Sequence, residues 1–235
     1  VDLFTVENRS FYKIMEEMRL FRNRIKYLPN AVSLFGAESV DHTRSKRKEN
    51  IVLTVGRLGD PVKNNELLIE AMRQVDREIF DDWKFLFVGP TEEHFVEYVK
   101  RACEADAWMA EHLLLVGEIR DRKKLYELYA KSKIMCMTSR SEGFCIAVLE
   151  AMYFGAYPIL TDFGRSVQDV TNHNQYGSVV PQNNVKILTE VLEKVAQDGA
   201  LSELNFAVEK FAQENFSYEV WTQKLNEYLT NLLTR

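Results

Sequence analysis

The stretch KIMCMTSRSEGFCIAVLEAMYFGAYPILT (133–161) decides the fold. It opens on an apolar run of strand length, KIMCMT (133–138), and crosses a polar, glycine-containing loop. A helix-period segment, FCIAVLEAMYFG (144–155), follows, and the stretch closes on a second apolar run, YPILT (157–161). Neither run alternates with polar residues, so each strand is expected to be covered on both faces, as in parallel sheets. Strand, crossover helix and strand make a βαβ unit, and such crossovers are right-handed.

The same rhythm extends in both directions. Upstream lie the apolar runs IVLTVG (51–56), WKFLFVG (83–89) and HLLLVG (112–117), and downstream lies GSVVP (177–181). Between them the helix-period segments are NELLIEAMRQVDREI (65–79), HFVEYVKRACEADAWM (94–109) and RKKLYELYAKS (122–132). In the first of these, Leu68, Met72 and Val75 share one side. Further helices are expected over 184–198, 200–215 and 217–234. The expected fold class is α/β, a doubly wound parallel sheet of about six strands with flanking helices.

Residues 1–32 break this rhythm. They read as a strand (2–8), a helix (9–21) and a second strand (24–32) that runs into a Pro-Asn turn. Residues 33–49 are polar and charged, the composition of a linker. The basic run RSKRK (44–48) has no interleaved aromatics and reads as solvated rather than as a nucleic-acid patch. The division expected is therefore 1–32, a linker over 33–49, a ligand-binding domain over 50–200, and C-terminal helices over 201–235, the last packing back toward the amino-terminal segment.

Composition narrows the function classes. Of the 235 residues, 46% are hydrophobic and 28% charged, which suits a folded soluble domain. The formal net charge of −5 leaves no global cationic footprint for nucleic acid. No apolar run reaches the roughly 18 residues of a membrane span. Cys103, Cys136 and Cys145 are odd in number and far apart, so neither a disulfide framework nor a zinc site is expected, and a reducing cytoplasmic setting is. Cys136, inside IMCM, reads as a small buried hydrophobe. His42, His94, His112 and His173 never fall at metal-ligand spacing and read as surface or capping residues.

In open parallel sheets ligands bind beyond the carboxyl ends of the strands. Three strand-to-helix loops are informative. GRLGDPVKN (56–64) places Gly56, Arg57 and Lys63 together, and two cations beside a helix start suit a bound diphosphate. They would also suit an ordinary solvated loop. In TSRSEGFCIAVLEAM (138–152), Glu142 and Gly143 precede a helix expected to start near Phe144, with Glu150 two turns along it. Eight residues of helix span about 12 Å, comparable to a nucleotide sugar. The free N–H groups of Phe144, Cys145 and Ile146 can face phosphate. Alternatively Glu142 is a helix-start charge and Glu150 a solvent-facing helix residue. GEIRDRKK (117–124) could frame a base through the backbone of Ile119 with a polar contact from Asp121, or Asp121 is simply a helix N-cap.

Taken in order, these pieces resemble the donor-binding half of a family 4 glycosyltransferase of the GT-B fold, whose C-terminal half is Rossmann-like. The matching residues are GRL with Lys63-Asn64 beyond it, ELLIEAM, FLFVG, LLLVGEI and EGFCIAVLEAMYFGAYPILT. The stretch from Glu142 to Glu150 is similar to the family's E-x7-E motif. The resemblance implies that Arg57 and Lys63 neutralise the donor diphosphate, Glu142 touches the donor sugar, and Glu150 holds the ribose hydroxyls. It further implies that the backbone of Gly143, Phe144, Cys145 and Ile146 cradles phosphate, and that Ile119 and Asp121 lie where the base is held. Two departures stand out: Cys145 occupies a position that is often glycine, and Phe163-Gly164-Arg165 replaces a small-residue loop. The family's glycine-rich amino-terminal loop and acceptor-side histidine have no counterpart.

The resemblance implies a retaining hexosyltransferase acting on a nucleoside-diphosphate sugar, UDP- or GDP-linked, with no metal or other cofactor required. The acceptor, a glycan, lipid or other molecule, is not readable. Residues 1–32 resemble the close of the acceptor-side domain, so these 235 residues are expected to be the donor half of a longer enzyme. Alone, that half is expected to bind nucleotide but transfer little. Partners expected are the donor, the acceptor and the remainder of the acceptor-side domain, through which a membrane surface could be reached; no nucleic acid is expected. The alternative is a non-catalytic nucleotide-sugar binding module, or one chain of a two-chain transferase. Nicotinamide-dependent oxidoreduction is disfavoured because no strand-to-helix loop supplies GxGxxG.

Overall fold

Continuous apolar runs separated by helix-period segments have one good solution, a parallel sheet sandwiched between helices. The computed structural model, which describes residues 3–35, 40 and 48–233, has that architecture. Six parallel strands, β3 (Glu49–Val55), β4 (Lys84–Val88), β5 (Leu113–Gly117), β6 (Ser132–Met137), β7 (Tyr157–Thr161) and β8 (Ser178–Val180), form one sheet in the order β5-β4-β3-β6-β7-β8. The six strands expected from the apolar runs are all present.

The flanking helices are α2 (Glu66–Met72), α3 (Glu93–Ala105), α4 (Ala107–His112), α5 (Arg122–Lys131), α6 (Ile146–Tyr153), α7 (Ser166–Thr171), α8 (Val185–Ala196), α9 (Leu201–Phe216) and α10 (Tyr218–Leu233). The core lies between these helices and the sheet. On α2, Leu68, Ile69 and Met72 are completely or almost completely buried, each contributing about 1.5–3 kcal/mol of hydrophobic stabilisation.

Local chemistry moves several boundaries. The single helix expected over 94–109 is two helices, because Asp106 adopts an extended backbone and its side chain accepts the Trp108 N–H, an N-cap that starts a new helix. His112 then ends α4 instead of opening β5. It is buried, with Nδ1 at 2.8 Å from the Trp108 carbonyl and Nε2 at 3.1 Å from that of Asp81, so it is not a surface residue. Helix α7 had no counterpart in the sequence reading; it is six residues long, too short to show a period. Cys136 is fully buried, as expected, and burial pushes its thiol up to about 12.

The amino-terminal segment forms its own parallel pair, β1 (Phe4–Val6) with β2 (Ile25–Tyr27), connected by α1 (Arg9–Glu17). Each is shorter than the run read from sequence. Helix α1 ends early because Arg19 is left-handed, leading into a 3-10 turn over Leu20–Asn23. Val32 bridges this segment to the end of α9, donating to Phe216 O and accepting from Tyr218 N. Helix α10 returns to it as well, with Trp221 edge-on to Tyr27 at 5.4 Å.

Of the basic run, residues 44–47 lie outside the described residues, as does His42, but Lys48 is not solvated. Its ammonium donates to the carbonyls of Ala130, Ser132 and Phe154 at 3.1, 2.8 and 2.8 Å, where α5 and α6 end. A cation suits the negative ends of two helices. Burial nevertheless lowers the Lys48 ammonium to about 7, opposed by the Glu209 carboxylate.

Candidate functional site

From the central strand β3 the chain winds one way through β4 to β5, then crosses back to β6 and winds the other way. The crevice beyond the carboxyl ends of β3 and β6 is thus the switch point of the sheet, where the loops on the two strands part and leave room for a ligand. Those are the loops carrying residues 56–64 and 138–145.

The loop after β3 is rigid for identifiable reasons. Asp60 accepts the Val62 N–H at 2.9 Å, Asn65 Oδ1 accepts the Gly59 N–H at 3.1 Å, and Asn64 is left-handed with φ 49°. The loop after β6 is stapled to it. Thr138 donates to the Asn64 carbonyl at 2.9 Å, and Arg140 bonds Pro61 O and Asn64 Oδ1 at 2.7 and 3.0 Å. Of these stapling residues only Asn64 is quoted from sequence, beside Lys63; Pro61, Thr138 and Arg140 enter there only as loop members. The TSR preceding Glu142-Gly143 carries no signal that would have shown it.

The stapling brings Lys63 and Glu142 together, with Lys63 Nζ 2.6 Å from Glu142 Oε1. Ser139 Oγ donates to the same oxygen at 2.6 Å. Both charged side chains are sheltered, at 20% and 12% exposure. Arg57 stands apart: its side chain is 69% exposed and its guanidinium pairs with Asp60 at 2.7 Å.

Arg57 lines a cavity of about 290 Å3 together with Gly56, Gly89, Pro90, Glu118 and Ile119. The cavity depends on a close approach of β3 and β4. A Cβ on Gly89, where φ is 142°, would fall 1.8 Å from the Gly56 carbonyl oxygen, so no side chain fits there. Asp121 does not line this cavity. It is the N-cap of α5, accepting from Lys123 N and Lys124 N at 3.0 and 3.3 Å, the capping role weighed for it above.

Glu150 is neither solvent-facing nor separated from Glu142 by two full helical turns. Helix α6 begins only at Ile146, because Cys145 is left-handed at φ 53°. Glu150 is 7% exposed. Its Oε1 accepts from Arg122 at 2.8 Å and Tyr126 at 3.0 Å, and its Oε2 accepts from Tyr129 at 3.3 Å. Burial and the Glu150 carboxylate raise both phenols, Tyr126 to about 12. The two tyrosines and Arg122 were invisible as partners from sequence, since they lie on a helix that meets α6 only in the folded chain.

The left-handed backbone explains why glycine suits position 145. The Cys145 thiol is buried against Met137. No side-chain hydrogen bond caps α6 from this position, and the Val148 N–H already donates to the Cys145 carbonyl at 3.0 Å. Among the described residues no three His, Cys, Asp or Glu side chains are grouped to hold a metal ion. Likewise no helix among them is long and apolar enough to cross a membrane.

Comparison with known proteins gives the family. Residues 37–214 match the model described as glycosyl transferases group 1. The chain is 27% identical over 179 residues to an alpha-1,4-N-acetyl-D-galactosaminyltransferase of Campylobacter jejuni, covering 76% of this chain and 46% of that protein. It is 26% identical over 208 residues to the human alpha-1,3/1,6-mannosyltransferase ALG2, covering 83% and 49%. It therefore spans about half the length of the curated relatives it matches. In three dimensions it superposes on HepE of Anabaena, crystallised in complex with UDP and glucose. That match has a TM-score of 0.74 at 17% identity and covers 98% of this chain and 64% of HepE. By the match over residues 37–214, the chain belongs to the glycosyl transferases group 1 family.

Proposed function

We propose that this chain is the donor-binding half of a retaining family 4 glycosyltransferase of the GT-B fold, taking a nucleoside-diphosphate hexose, with UDP the favoured nucleotide. The observation that carries the proposal is the meeting of Lys63 and Glu142 at the sheet's switch point, beside the cavity that Gly56, Arg57 and Ile119 line. Lys63 and Arg57 neutralise the diphosphate, and the N–H groups of Phe144, Cys145 and Ile146 complete its cradle. Glu142, already oriented by Lys63 and Ser139, takes hydroxyls of the hexose. The base enters the cavity at Ile119, while Asp121 serves by starting α5.

Glu150 takes the ribose hydroxyls. A carboxylate offers about four lone-pair sites, of which Arg122, Tyr126 and Tyr129 occupy three. One remains on Oε2. Electrostatic stabilisation of the departing nucleoside diphosphate is the catalytic contribution of Arg57 and Lys63. No metal or other cofactor is needed for that step.

We further propose that residues 1–32 belong with an acceptor-side domain, that 33–49 link it to the donor domain, and that 201–235 brace both. Transfer needs an acceptor held against the donor, so this chain alone binds nucleotide and turns over little donor. Its setting is cytoplasmic, with any membrane surface reached through the acceptor-side domain. Calorimetry with UDP, GDP and ADP tests the reading. One of them binds tighter than millimolar and loses affinity in Arg57→Ala; no binding, or an unchanged variant, removes it.

A further inference from the structure

The two edges of the six-stranded sheet are built differently. At one, β8 is three residues long and partly to fully buried. At the other, β5 is the five-residue run LLLVG, with neither a charge nor a proline. Its Leu114 and Val116 are 42% and 44% exposed, and no strand among the described residues pairs with its outer side. Edge strands are ordinarily guarded by a charge, a proline or a cover, because their open N–H and C=O groups recruit other strands. On β5 the blunting is confined to a register slip against β4 at Val116, near the carboxyl end.

The two ends of this strand carry opposite charge. At the amino end stand Glu111 and Asp81, both exposed. Asp81 is placed there by its carbonyl, 3.1 Å from His112 Nε2. Neither carboxylate is in an ion pair among the described residues, and Lys84 donates to the backbone carbonyl of Glu111 at 3.1 Å. At the carboxyl end the chain reads RDRKK (120–124). Arg120 pairs with Glu118, Arg122 pairs with Glu150, and Asp121 caps α5. Lys123 and Lys124 are left exposed, with no carboxylate partner among the described residues.

We infer that β5 is the joint of a weak two-fold homodimer, in which a second copy of this chain adds its own β5 antiparallel to the first. A two-fold axis perpendicular to the sheet gives a self-complementary joint of this kind. It sets the acidic end of each strand beside the basic end of the other, so the match is made twice. Parallel pairing would bring like charges together. A second copy is the fitting occupant because both halves of the complementary charge set lie on one edge. Leu114 and Val116 lose their exposure across the joint. Five residues make a short contact, well below the roughly 800 Å2 per partner of a standard interface, so the association is reversible. It does not depend on the donor reading.

Sedimentation velocity across a concentration series tests it. The wild-type chain is expected to dimerise with a Kd of about 10–100 μM, weakening about tenfold on going to about 0.5 M salt. Leu114→Lys should weaken it at least about tenfold, with the urea midpoint close to that of wild type. Two surface variants then probe the arrangement. One carries Lys123→Glu with Lys124→Glu, the other Asp81→Lys with Glu111→Lys. Neither should self-associate, because each sets like charges together at both ends, whereas an equimolar mixture of the two should recover the wild-type affinity. A chain that stays monomeric to about 1 mM would overturn the inference, as would a mixture that fails to recover. Association that survives Leu114→Lys but is lost in Met18→Lys would put the joint on the apolar face of α1 and overturn it equally.

Discussion

Lys63 Nζ lies 2.6 Å from Glu142 Oε1, although the two residues are 79 positions apart in the chain. The pair joins the loops of the two central strands, and Ser139 fixes the same carboxylate oxygen. One residue presents a cation where a diphosphate is proposed, and the other presents an acceptor where hydroxyls are proposed.

Replacing each partner should separate those roles. Lys63→Ala is expected to weaken UDP binding about tenfold, because a sheltered charge-assisted contact is lost. Glu142→Gln should leave UDP affinity within about twofold, since the free nucleotide lacks the hexose. A double-mutant cycle on unfolding should return about 1–2 kcal/mol of coupling for the sheltered pair. Equal loss of UDP affinity in both variants would contradict this division.

The Glu150 cluster should behave as a buried polar network. Glu150→Ala strips the acceptor from Tyr129 and removes one partner from half-exposed Arg122 and from Tyr126, which keeps the Ser33 carbonyl at 2.9 Å, at an expected cost of about 2 kcal/mol in urea unfolding. Tyr129→Phe removes one hydroxyl and should cost about 1 kcal/mol. A Glu150→Ala chain as stable as wild type would show the network to be weak.

Position 145 carries backbone strain that glycine would relieve. With φ 53° at Cys145, Cys145→Gly should be about 1 kcal/mol more stable than Cys145→Ala, which keeps the strained backbone and loses the thiol packing. Thermal or urea unfolding of the two variants side by side decides it.

Lys48 predicts a pH dependence. Its folded-state value of about 7 lies below the usual lysine value of 10.5, so between them the unfolded chain binds more protons. Stability contributed by this group is then present above the unfolded value and falls away as pH drops toward about 7. Relative to Lys48→Met, the wild-type chain should gain up to about 2–3 kcal/mol between pH 7 and 9. Parallel pH profiles would mean that the helix-end carbonyls hold the ammonium charged throughout.

The residues that could be found in advance are those whose signal is local. Apolar runs of strand length marked all six sheet strands, and a cap at Asp121 was one of two readings that its place before a helix-period segment allowed. The break at Asp106, the left-handed turn at Cys145 and the short α7 were not legible. Each is decided by a single backbone conformation inside an otherwise helical or loop-like composition. At Lys48 the basic neighbours suggested solvation, but the fold carried that one side chain beneath two helix ends.

From its sequence alone the chain declares a doubly wound parallel sheet and its strand-to-helix loops, because period and punctuation act over a few residues. Which charges meet was decided only by the tertiary structure. The pairing of β3 with β6 set Lys63 against Glu142, and the same packing sent Arg57 to a cavity mouth and buried Glu150 among tyrosines. Such pairings depend on strand order and helix packing, and these arise from the whole core rather than from any spacing along the chain.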